Sequence, residues 1–336
     1  MKISGVKFTG GINVNTSAAP SPGPSPGPTP SGGYQGSNFG YSAGGINGSG
    51  SIENIIQKYS FTSDANATDV GDLTVALEDT PAGSSSSTHG YASGGRITSG
   101  PTITTIQKWT FTSDGNATDV GVLTAVRKQA TGQTSSTHGY ASGGMNPAFT
   151  PANLAGIDKF PFASDSNASE SQNLITAANG SAGQSSNSHG YTSGGGTPAG
   201  RTQQIQKFSF ASSDDATNVG NLSQNNQLGS GSNSDVSGYN SGGNTDAGGF
   251  QYVNRIEKFP FSTDSNSVSV GVLTQARGFA SGSSSTSSGY TAGGLISPPL
   301  TVQNIIDKVS FASDTNATDV GDLVQAVRGI HTGSQY

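Results

Sequence analysis

The stretch STHGYASGG at Ser87–Gly95 returns letter for letter at Ser136–Gly144. Its Gly-Gly pair recurs at Gly44–Gly45, Gly194–Gly195, Gly242–Gly243 and Gly293–Gly294. A tyrosine stands three residues before each pair, at Tyr41, Tyr91, Tyr140, Tyr191, Tyr239 and Tyr290. A lysine keeps the same beat at Lys58, Lys108, Lys159, Lys207, Lys258 and Lys308. Successive marks are 48–51 residues apart, so the chain is a six-fold internal repeat.

Each unit reads as short strands. In IIQKYSFTSD (Ile55–Asp64), Ile56 and Lys58 share one face while Tyr59 and Phe61 share the other. Bulky groups on both faces place this strand between neighbours. NATDVGDLT (Asn66–Thr74) supplies a second strand, and the Asp and Asn before it suit a tight turn. GSSSSTHGYASGG supplies two more. No long apolar period of 3.6 residues occurs, and glycine is too frequent for helices. Four strands in about 50 residues, six times over, predict an all-β, six-bladed β-propeller. In that frame the tyrosines wedge between blades. The glycine pairs give the left-handed backbone needed for a sharp exit from the strand.

The repeat resembles that of the kelch family, which also sets a Gly-Gly pair before a variable loop and an aromatic-bearing strand. The resemblance covers about Gly33–Tyr336 and implies a kelch-like propeller. The fourth-strand tryptophan of that family stands here as Val70, Val120, Val219, Val270 and Val320.

Ring closure is legible too. From Leu323 the last unit stops at Tyr336, halfway through the pattern, and SNFGYSAGG (Ser37–Gly45) carries the missing half. The expectation is a blade shared by strands from both ends, with Tyr336 close to Ser37. Three parts follow: an anchor strand over 1–17, a Pro/Gly-rich linker over 18–32, and the propeller over 33–336. The linker, AAPSPGPSPGPTP at Ala18–Pro30, favours an extended spacer. The strand ahead of it carries Ile3, Val6, Phe8, Ile12 and Val14. It is too short to fold alone, and we read it as an anchor that pairs with another chain.

Composition narrows the function. Charged residues are 11% of the chain and the net charge is −6, which disfavours a nucleic-acid partner. The absence of cysteine excludes disulfides and thiolate chemistry. The N-terminal MKISGVKFTGGINVN lacks the apolar core of a secretion signal, and no stretch is long enough to insert in a membrane. We expect a protein made in a cytoplasm.

MKISGVKFTGG at the start, with units such as KWTFTSDGNATDVGVLT and KVSFASDTNATDVGDLV, resembles virion structural proteins of marine tailed bacteriophages, cyanophages especially. The similarity implies a non-enzymatic particle component, in the tail fibre or decorating the capsid. It would be located on the virion after assembly in the host cytoplasm. The implied partners are other virion proteins through the N-terminal strand, with host-surface glycan or a second copy as further contacts. The alternatives are a bacterial kelch-like interaction module and a propeller glycoside hydrolase, since any two Asp residues can converge.

Asp64, Asn66 and Asp69, with their repeats, offer oxygens at Ca²⁺-like spacing, but turn residues that cap backbone amides need the same chemistry. We favour the caps. His89, His138 and His189 share one position in three successive blades, too far apart to focus on one ion, so we assign no metal and no cofactor. Each repeat lysine is expected to meet a carboxylate of its own blade. Recognition is expected in the unequal loops after each glycine pair, with Phe149, Phe250, Tyr252 and Arg255 as candidate anchors.

Overall fold

The computed structural model describes residues 36–79, 81–97, 100–246, 251–329 and 333–335. Among them there is no helix. Six four-stranded antiparallel sheets form the blades of a β-propeller. Blade 2 shows the plan: an inner strand Ala82–Ser85, then His89–Ser93, then Thr105–Thr110, then an outer strand Thr118–Val122. Blades 3 to 6 repeat it, with inner strands Thr131–Thr134, Ala182–Ser185, Ser230–Asn233 and Ser281–Ser284.

Blade 1 draws on both ends of the described chain. Its inner strand is Ser334–Gln335, which pairs with Phe39–Ala43 in the register Gly40↔Gln335 and Tyr41↔Ser334. Phe39–Ala43 then pairs with Ile55–Ser60. The expected approach of Tyr336 to Ser37 lies outside the described residues.

The third strand of every blade has the same burial rhythm, with Ile56, Gln57 and Tyr59 buried in blade 1. Both faces are covered because each seam takes residues from two blades. Tyr41, Ile56 and Leu73 of blade 1 pack with Trp109 and Phe111 of blade 2. Tyr59 and Phe61 pack with Tyr290, Ile306 and Leu323 of blade 6. At every seam the repeat tyrosine stacks on the phenylalanine of the next blade. Centroids are 4.7 Å apart for Tyr41–Phe111 and 4.5 Å for Tyr290–Phe61. Offset aromatic pairs at this spacing add stabilisation beyond the area they bury. The glycine pairs behave as the turn requires: Gly44 and Gly45 have φ of 70° and 110°.

Polar side chains bind blade to blade in rings. Near the axis Ser85, Thr134, Ser185, Asn233, Ser284 and Gln335 each accept a backbone N–H from the inner strand before them. The six N···O distances are 2.8–3.3 Å, and the circle closes where Gln335 N donates to Ser85 Oγ. Beside this ring the strands touch through glycine. A Cβ on Gly132 would lie 1.8 Å from Gly83 O.

On the outer side, the turn residues Asn66, Asn116, Asn167, Asp215, Asn266 and Asn316 each accept a backbone N–H from the outer strand of the preceding blade. These are caps, as the turn chemistry suggests, and they act across the seam. The lysines differ from expectation. Lys58, Lys108, Lys207, Lys258 and Lys308 pair with Asp114, Asp165, Asp264, Asp314 and Asp64, which belong to the next blade. The own-blade expectation fails because Asp sits at the hairpin tip, which overhangs the lysine of the blade behind it. For Lys159 the corresponding tip residue is Ser213.

Candidate functional site

Strand direction gives the disc two faces. Inner strands and third strands both run toward one face, so the short loops Ser86–Thr88 and the hairpin tips at Asp64 gather there. We call it the hairpin face. Second strands and outer strands run the other way. The variable loops after the glycine pairs therefore gather on the loop face, together with the connections between successive blades.

Gly36 joins the propeller on the hairpin face. Its N–H donates to Ser284 O at 2.9 Å, and it bridges Ser285 in parallel. Ser284 belongs to the axial ring, so Gly36, the first described residue, sits near the axis on the side away from the variable loops. The anchor residues Ile3, Val6, Phe8, Ile12 and Val14 lie outside the described residues.

The hairpin face also carries His89, His138 and His189. Each is half-buried, with Nδ1 at 2.8 Å from the hydroxyl of Thr88, Thr137 or Ser188. Burial, followed by the neighbouring lysine, holds each imidazole below its usual pKa. Each histidine belongs to its own blade, and the described residues contain no group of three His, Asp or Glu poised for a metal.

On the loop face the candidate anchors separate. Phe149 is 53% exposed in the loop of blade 3. Tyr252 turns inward and is 8% exposed, its ring against Gly278. Arg255 Nε meets Glu257 Oε1 at 2.5 Å, neutralising a buried carboxylate. Phe250 lies outside the described residues. Leu300, 71% exposed in the loop of blade 6, is an apolar tip not singled out from sequence.

Glu257 belongs to another inter-blade ring. Gln57, Gln107, Asp158, Gln206, Glu257 and Asp307 occupy one buried position on the third strands. Each accepts a backbone N–H from the preceding blade, as Thr74 N donates to Gln107 at 2.6 Å and Thr124 N to Asp158 at 2.7 Å. Where this position is Asp, the preceding blade supplies a buried arginine. Arg127 reaches Asp158 at 2.9 Å and Arg277 reaches Asp307 at 3.1 Å. Where it is Gln, that partner position holds Leu77, Ala178 or Val327.

The centre of the loop face holds a feature that sequence reasoning missed. Asp79, Gln129, Gly180, Leu228, Phe279 and Gly329 stand at one repeat position, and all six have left-handed backbone with φ of 52–66°. They form a circle. Gln129 N donates to Asp79 O, Gly180 N to Gln129 O, Leu228 N to Gly180 O, Phe279 N to Leu228 O and Gly329 N to Phe279 O, at 2.6–3.0 Å. Four members are not glycine, and left-handed backbone costs such residues about 1–3 kcal/mol each. Packing accounts for Leu228, which is 6% exposed and lies over Gly180. Phe279 is only half-buried. Asp79 is tied to Lys128 at 2.9 Å and Arg96 at 3.3 Å, and Arg96 also reaches Glu78. The legible signal was Gly180 and Gly329, which mark in two repeats a backbone that the other four adopt under strain.

No protein-family model matches the chain, and no curated protein is significantly similar to it. The functional reading therefore rests on the propeller itself, with its two unlike faces.

Proposed function

We propose that the protein is a non-enzymatic structural component of a tailed-phage virion, with a kelch-like propeller that serves as an interaction module. The residues over 1–17 dock on other virion proteins, the Pro-rich linker spans the gap, and the loop face points away from the particle toward host-surface glycan. The observation that carries this reading is the placement of Gly36. Gly36, the first described residue, lies on the hairpin face, opposite the variable loops, which supports a tether on that side. A tether on one side of a rigid disc leaves the other side free for recognition. The buried carboxylates Asp158, Glu257 and Asp307 are consistent with a scaffold role, because each is held by an arginine and by main-chain donors.

Deleting residues 1–17 tests the reading. The variant is expected to keep the thermal midpoint of the full chain and to lose incorporation into particles. Incorporation at the wild-type level would overturn it.

A further inference from the structure

We propose that the axial well on the hairpin face binds a halide ion, chloride in solution. The inference goes beyond the recognition role above and does not depend on it.

The well is a product of the closed ring. Ser85, Thr134, Ser185, Asn233, Ser284 and Gln335, one from each blade, stand around it. Inner strands run toward the hairpin face, so these residues form the rim, and the glycines two positions earlier form the floor. The cavity has a volume of about 40 Å³. That is room for about three waters, or for a single monatomic ion with a water beside it.

Hydrogen bonding decides what the well can hold. Each rim side chain accepts a backbone N–H through its oxygen. The hydroxyl protons of Ser85, Thr134, Ser185 and Ser284 find no acceptor among the described residues. These four residues are only 1–8% exposed, so bulk water does not serve them. Asn233 and Gln335 turn their carbonyl oxygens to N–H groups, so the other end of each amide is a donor. The floor does not offset this. A Cβ on Gly132, Gly183, Gly231 or Gly282 would run into the carbonyl oxygen of the glycine one blade earlier, so those oxygens lean on the neighbouring strand.

A ring of donors calls for an acceptor. A metal cation would need carboxylates or uncommitted oxygens, and no charged side chain lines the well. Water accepts two hydrogen bonds but brings two protons of its own to oxygens that already accept. A halide accepts from several hydroxyls at once and brings no proton. The neutral lining neither repels the ion nor pairs with it, so affinity is expected in the millimolar range. Bound there, the ion sits among residues of all six blades.

Crystals of the full chain grown in sodium bromide test this directly. An anomalous difference peak is expected on the axis among Ser85, Thr134, Ser185 and Ser284. In solution, the full chain should broaden the NMR line of sodium chloride. Asn233→Asp keeps an oxygen for Ser185 N–H, adds negative charge to the rim, and should abolish that broadening. Lys159→Met removes a hairpin-face cation with no aspartate at the facing tip, and should leave the broadening in place. Absence of an axial bromide peak, broadening that survives in folded Asn233→Asp, or broadening lost in Lys159→Met would overturn the proposal. The bromide map is read on the wild-type chain, so it decides even where Asn233→Asp does not fold. Particle incorporation is read separately through residues 1–17, so either proposal can fail while the other stands.

Discussion

Gln335 donates its backbone N–H to Ser85 Oγ at 3.0 Å, joining the last described strand of the chain to the inner strand of blade 2. With this bond, a run of single inter-blade links becomes a circle. Each blade alone would leave its apolar faces and its inner edge open. Closure gives every blade two neighbours, and the seam where blade 6 meets blade 1 carries Lys308–Asp64 and the cap from Asp322 N to Asn66.

The buried arginines answer a substitution made in the same repeat. Arg127→Leu strands the Asp158 carboxylate without its cation and is expected to cost about 3–5 kcal/mol. Pairing it with Asp158→Gln reproduces the Leu77 and Gln107 arrangement one blade earlier. The double variant should return to within about 1 kcal/mol of wild type, because an ion pair replaced by a matched neutral set is close to neutral. Chemical denaturation of the singles and the double checks the cycle.

Two contacts across the closing seam should differ in weight. Asn66→Ala removes the acceptor for Asp322 N–H and should cost about 1 kcal/mol. Lys308→Ala removes an ion pair whose aspartate is largely exposed, and should cost less than about 1 kcal/mol. Urea unfolding that ranks lysine above asparagine would contradict the assignment of the turn residues as inter-blade caps.

Stability should fall at both ends of the pH scale. Burial raises the phenols of Tyr91, Tyr191 and Tyr252 to about 12. Above pH 10 the unfolded chain loses those protons while the folded one keeps them, so stability is lost as pH climbs from 10 toward 12. His89, His138 and His189 are held below the usual imidazole value by burial. Below pH 6.5 the unfolded chain binds more protons, so stability also declines there. Urea midpoints at pH 5, 8 and 11.5 check both arms, with the highest expected at pH 8.

The repeat made the blades, the tyrosine wedges and the glycine turns readable, because each depends on local backbone chemistry repeated in register. The turn asparagines were readable as caps, although their donors sit one blade away. The lysine partners were misread, since spacing in sequence says nothing about which hairpin tip overhangs which strand. Tyr252 and Arg255 have the residue types of contact anchors, yet one fills a gap beside Gly278 and the other serves Glu257. Phe279 was invisible, because its strain appears only as a φ of 59°.

Truncation of residues 333–336 tests the closed ring most directly. Removing Ser334–Gln335 deletes the inner strand of blade 1 and opens the axial circle. The thermal midpoint should drop by at least several degrees. Amide exchange should quicken in Phe39–Ala43 and in Ala82–Ser85, the strands that lose a neighbour. An unchanged midpoint with both strands still protected would contradict a propeller latched by its two ends.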